Sequence, residues 1–113
     1  MTGRIVIVFA LLGMVGCSGT PEPEPCSDAV PADTVRLEDF AFEPDCLSAE
    51  SGGEIRLQNV GEAPHTFTVP AVDVSFDLDA GTSMEGTFSD AEPGRYAVTC
   101  LYHPQMTATL EIV

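Results

Sequence analysis

Between Thr99 and Met106 the chain reads Thr-Cys-Leu-Tyr-His-Pro-Gln-Met, which places a thiol, an imidazole and a thioether in Cys-x2-His-x2-Met spacing at Cys100, His103 and Met106. The chain has one other histidine, His65. A thiolate and neutral imidazoles suit both Cu(I) and Cu(II), and a soft thioether can sit far from the metal and help set its potential. Two imidazoles, one thiolate and one thioether are the donors of a trigonal copper site with a long axial sulfur. Zinc can use the imidazoles and the thiolate, but a thioether is a poor zinc ligand and copper binds more tightly. A lone His is more often structural and a lone Met more often core. Here, however, both histidines of the chain fit one metal together with a Cys and a Met.

Strands must bring these residues together. The alternating Arg95-Tyr96-Ala97-Val98 precedes the cluster and Thr107–Val113 follows it, so the cluster reads as a tight loop between two strands. His65 opens a third strand-like run, His65-Thr66-Phe67-Thr68-Val69. A rigid strand would thus hold one donor against three from a loop, which favours preorganisation. Further short runs start near Thr34. Val35–Phe42 reads as one run turned by Glu43-Pro44-Asp45, followed by Cys46–Ser48, Glu54–Gln58, Val72–Leu78 and Ser83–Phe88, with Gly-, Pro- and Asp-rich breaks between them. No helical apolar period appears beyond the first residues. The pattern predicts an all-β sandwich or small barrel with a modest core that an extra staple would help.

The chain has 113 residues and a net charge of −14, with 18 acidic residues, four arginines and no lysine. Nucleic acid is excluded as a partner, because phosphate contacts need cationic side chains. An acidic surface permits a basic partner or a saline habitat. Arg4, the apolar run Ile5–Leu12 and the small residues ending at Cys17 describe an export signal whose end resembles a bacterial lipobox, with Met14 in place of the commoner Leu. This divides the chain into a signal peptide (1–16), a lipidated Cys17 with a Pro/Glu-rich linker (17–33) and a domain (34–113). A buried strand, or ordinary cleavage without lipidation, are the alternatives for the first segment. Acyl chains on Cys17 would hold the product at a membrane, at the outer or periplasmic face of the cell envelope. Alternating Pro and Glu over residues 21–25 would act as an extended spacer.

Cys26 and Cys46 remain. In an exported chain two spare cysteines usually pair, and closing a loop of about 20 residues would contribute on the order of 3 kcal/mol. Two free thiols, or one of them as a metal ligand, are the rival readings. The second is weak, since neither has a histidine near it in sequence.

Over Val35–Val113 the chain resembles the cupredoxin family, which includes plastocyanin, pseudoazurin and amicyanin. The resemblance rests on Phe40-Ala41-Phe42-Glu43-Pro44, on Gly53 before Ile55–Leu57, and on Asn59 with Pro64-His65-Thr66. It continues through Gly94-x-Tyr96-x-Val98-x-Cys100 and the short, amicyanin-like Cys100-x2-His103-x2-Met106. It implies a Greek-key sandwich of about eight strands, with His65, Cys100 and His103 as equatorial ligands of one copper ion and Met106 as the axial ligand. It also implies a monomeric one-electron carrier for redox partner proteins. Electrons would pass through His103, and Pro64, Pro104 and Ala63 would form an apolar docking collar. Two positions depart from the pattern. Thr66 stands where Asn often ties two copper loops, so a less rigid tie is expected, and Ala108 replaces a frequent glycine. No acid/base dyad or substrate pocket is evident, so no enzymatic activity is expected. The alternative is copper delivery. Such proteins tend to use several Met and His in open sites, whereas Met84 is the one domain methionine outside the cluster.

Overall fold

The computed structural model describes residues 3, 21–88 and 91–113. The leader and Cys17 therefore lie outside the described residues. Among the described residues ten strands form: β1 (Val30–Pro31), β2 (Thr34–Glu38), β3 (Ala41–Glu43), β4 (Cys46–Ala49), β5 (Glu54–Asn59), β6 (His65–Val69), β7 (Val74–Leu78), β8 (Ser83–Thr87), β9 (Gly94–Thr99) and β10 (Thr107–Ile112). A six-stranded sheet has the order β1-β4-β10-β9-β6-β7, and a four-stranded sheet the order β3-β2-β5-β8. The parallel pairs β1–β4, β4–β10 and β2–β5 require chain crossovers between sheets. Among the described residues no helix is long and apolar enough to cross a membrane.

Alternation along the strands builds the core. In β2 and β5 the residues Val35, Leu37, Ile55 and Leu57 are buried, while Arg36 and Arg56 between them face water. Leu47, Phe67, Val98, Leu110 and Ile112 of the larger sheet join the same buried cluster. Each such side chain stabilises the fold by about 1.5–3 kcal/mol through its burial. Phe67 sits at the centre, edge-on to Phe42 at 5.7 Å and tilted against Phe88 at 6.1 Å between ring centroids. Cys26 and Cys46 are bonded, with Cα atoms 5.8 Å apart. Thr109 Oγ1 donates to the Glu24 carbonyl at 3.0 Å, so the Pro/Glu stretch just before Cys26 lies against β10.

The strand count exceeds eight for two reasons. The short β1 pairs with β4, and the run Val35–Phe42 is two strands rather than one. The chain reverses at Asp39-Phe40, where Phe40 takes the left-handed conformation with φ 70°, and β3 folds back on β2 with Leu37 opposite Phe42. The reversal puts Phe42 into the core beside Leu37, which a single strand of that length could not do for residues of opposite parity. The Val72–Leu78 run likewise starts late. A short 3-10 turn occupies Pro70–Val72 and ends at Asp73 in the left-handed region, so strand pairing begins at Val74.

Candidate metal centre

Strand β6 and the β9–β10 loop meet at one end of the sandwich. The loop is wound by its own backbone. His103 N–H donates to the Cys100 carbonyl at 3.3 Å, Met106 N–H to the His103 carbonyl at 2.8 Å, and Cys100 N–H to the Met106 carbonyl at 3.2 Å. The three-residue spacing of the donors is thus the spacing of two successive turns, closed by a third bond across the loop mouth. His65, the first residue of β6, pairs with Leu78 of β7 and stands across from the loop.

The structure places Cys100 Sγ 3.8 Å from His65 Nδ1 and 3.7 Å from His103 Nδ1. These three atoms all lie within 4.8 Å of one another. His65, Cys100 and Met106 are fully buried, and His103 is half-buried. Burial pushes the Cys100 thiol up, but the Thr66 N–H at 3.3 Å, the two imidazoles and the Tyr102 N–H favour the thiolate and bring it down to about 6. Two ring nitrogens and a thiol poised to ionise, with a buried thioether on the same loop, fit copper.

A belt of hydrogen bonds holds this arrangement. Thr66 Oγ1 accepts the Leu101 N–H at 2.8 Å and shares a hydrogen bond with Thr68 Oγ1 at 2.9 Å, which in turn meets Ser75 Oγ at 2.7 Å. The hydroxyl at Thr66 therefore ties β6 to the ligand loop, and the tie is extended into β7. Asn59, 2 % exposed, donates to the Ala63 and Leu78 carbonyls at 2.9 and 3.0 Å and accepts the Gly61 N–H at 3.0 Å. It fixes the loop that delivers His65.

Two site residues escape a reading of the sequence. Asp39 Oδ1 lies 2.9 Å from His65 Nε2, and the Asp39 carboxylate accepts the Glu62 N–H at 3.1 Å and the Ala63 N–H at 3.3 Å. The Glu62 N–H first, then His65 and Ala63, hold its carboxyl below the usual range. Phe40, its neighbour, sets its ring edge-on to His103 at 5.1 Å. One signal was available: apolar parity switches from odd (Val35, Leu37) to even (Phe40, Phe42), which marks a break between them.

The surface around His103 is apolar. Pro64 and Pro104 are exposed there, and Phe40, Leu101 and Tyr102 add larger exposed side chains, 60 %, 59 % and 50 % accessible. The Tyr102 hydroxyl donates to Asp77 Oδ2 at 2.7 Å, an interaction that also raises the pKa of the phenol.

A family model described as a cupredoxin-like domain matches residues 5–112. No curated protein matches the chain. Among solved structures it is similar to a purple cupredoxin from Nitrosopumilus maritimus, with 18 % identity and a TM-score of 0.58 over 76 % of this chain and 100 % of that one. It is also similar to a mutant of amicyanin in the Cu(I) form, with 22 % identity and a TM-score of 0.60 over 77 % of this chain and 87 % of that one. A copper-containing nitrite reductase from Thermus scotoductus matches with 22 % identity and a TM-score of 0.56 over 81 % of this chain, which spans 25 % of that enzyme. At these identities the likeness speaks for the fold.

Proposed function

The chain belongs to the cupredoxin-like family, and from that premise we propose that it is a type 1 copper protein carrying single electrons at the cell envelope. His65 and His103 would bind through Nδ1 and Cys100 through its thiolate, with Met106 as the axial sulfur. The observation that carries this reading is the convergence of both Nδ1 atoms on Cys100 Sγ, at 3.8 and 3.7 Å. Bound copper supplies a one-electron couple.

The residues around the site supply the rest of a carrier's needs. The Thr66 N–H stabilises negative charge on the sulfur, and the Thr66 hydroxyl and Asn59 bonds resist movement between oxidation states. His103 reaches half-way to solvent within an apolar rim of Pro64, Pro104, Phe40 and Leu101, a surface suited to brief docking of a redox partner. Asp77 and Glu62 beside that rim, and the net charge of −14, favour a partner with a basic face. Lipidation at Cys17 would keep a monomeric domain at the membrane.

The test is to load the full chain with Cu(II) and record visible absorption and EPR spectra, with Cys100→Ser as control. An intense thiolate-to-copper band with narrow hyperfine splitting, lost in the control and reversibly bleached by a one-electron reductant, is expected. A weak, colourless and readily chelated Cu(II) site would reject the carrier role in favour of copper delivery.

A further inference from the structure

Resting on the copper reading above, we propose that Asp39 is a positioning residue of the metal centre. Its carboxylate holds the proton of His65 on Nε2, leaves the Nδ1 lone pair facing Cys100, and by its charge favours Cu(II) over Cu(I).

The tautomer follows from the contact. An ionised carboxylate can only accept, so Asp39 Oδ1 at 2.9 Å from Nε2 requires the proton there, and the neutral ring then presents a bare Nδ1 to Cys100. The His65 ring is fully buried, so no water competes for either nitrogen from bulk solvent. A carboxylate behind a ligating imidazole makes it a stronger donor and fixes its orientation.

The fold goes to some length to put that carboxylate there. Parallel pairing of β2 with β5 sets Leu37 beside Asn59, and the Val60 N–H donates to the Leu37 carbonyl at 3.0 Å. The chain leaving β2 therefore runs next to the chain leaving β5. Asp39 enters the bend at 59–63 and takes its N–H groups at Glu62 and Ala63. A Cβ on Gly61 would stand 2.9 Å from Asp39 Cγ and 3.1 Å from its backbone nitrogen, so glycine alone leaves the carboxylate room. Phe40, directly after it, accepts a left-handed φ of 70°, which costs a non-glycine residue about 1 kcal/mol. A surface ion pair of ordinary kind has no need of a glycine gap, two aimed N–H donors and a strained turn.

The experiment uses the full chain labelled with 15N-histidine, as wild type, Asp39→Asn and Asp39→Ala. In the metal-free wild type, NMR of the His65 ring should show one tautomer, protonated at Nε2, with a slowly exchanging proton. Asp39→Ala should give mixed tautomers and fast exchange. Chelator competition for each oxidation state should show the Cu(II)-to-Cu(I) affinity ratio falling about tenfold in Asp39→Asn, a rise of about 59 mV in potential. A merely structural role would lower both affinities alike and leave that ratio unchanged. An unchanged ratio, or a single Nε2–H tautomer persisting in Asp39→Ala, overturns the proposal. If Asp39→Ala does not fold, the ratio in Asp39→Asn decides. A wild type that binds no copper defeats the reading of the preceding section instead, and the proposal then stands or falls on the His65 tautomer.

Discussion

The two histidines of the centre are held in opposite ways. His65 begins a strand, is fully buried, and has its far nitrogen against a carboxylate cradled by two backbone N–H groups. His103 sits in a turn, is half-buried, and has an exposed phenylalanine ring at its edge. One half of the site is built into the sheet and the other is lent to the surface. In the carrier proposed above the difference would separate two demands, since a fixed donor limits rearrangement and an accessible one gives a partner a short route in. A single two-residue turn serves both: Asp39 reaches one histidine and Phe40 the other.

Substituting each histidine in turn would test that contrast most severely. His65→Ala should cost the metal-free fold about 2–4 kcal/mol, because it opens a buried cavity and removes the hydrogen bond to Asp39. His103→Ala should cost less than about 1 kcal/mol, as a half-exposed loop residue. Denaturant unfolding of both metal-free variants checks this, and equal losses would dissolve the distinction. Both variants should lose the blue copper spectrum.

The thiol gives a second effect, visible in pH. Its pKa is about 6 in the fold, against an ordinary 9.0, so the thiolate adds stability that grows as pH rises from about 6 and is complete by 9. That stability is lost as pH falls through 6. The stability difference between the metal-free chain and Cys100→Ser should widen with pH by no more than about 1.4 kcal/mol per unit across this window. Thermal midpoints measured at pH 6, 7, 8 and 9 follow it, and a difference that narrows with rising pH would contradict the hydrogen bonding described for the sulfur.

Smaller changes sharpen the picture of how the halves are joined. Thr66→Val keeps the shape but leaves the Leu101 N–H without its acceptor, and should cost about 1–2 kcal/mol. Hydrogen exchange should then accelerate at Leu101 more than in the centre of β10. Tyr102→Phe removes an exposed bond to Asp77 and should change stability by less than about 0.5 kcal/mol, within the range of ordinary surface substitutions.

Much of this centre is legible in the chain before it folds. Cys100, His103 and Met106 are spaced by turns that close within the loop itself, so local sequence suffices to place them together. His65 is identified by scarcity, being the one other histidine, and by the strand that follows it. The sandwich is written in the period-two alternation of β2 and β5 and in turns at regular intervals. The Cys26–Cys46 bond is the pairing expected of the two cysteines that fall in neither the leader nor the ligand loop. The Thr66 tie was harder to read: a hydroxyl in place of an amide looked like a weaker link, but Thr68 and Ser75 extend it into a chain of bonds.

Sequence by itself determined the candidate donors, their order and the class of fold, because those depend on residue type and on neighbours a few positions away. Tertiary structure alone decided what stands behind His65. Asp39 is 26 residues from it and reaches it only through the register that sets Leu37 beside Asn59, the left-handed turn at Phe40 and the empty space over Gly61. Alternation shows which face of a strand is buried, but not which residue of a distant strand lies beside it. That is fixed when the two sheets pack and the parallel pair β2–β5 locks its register.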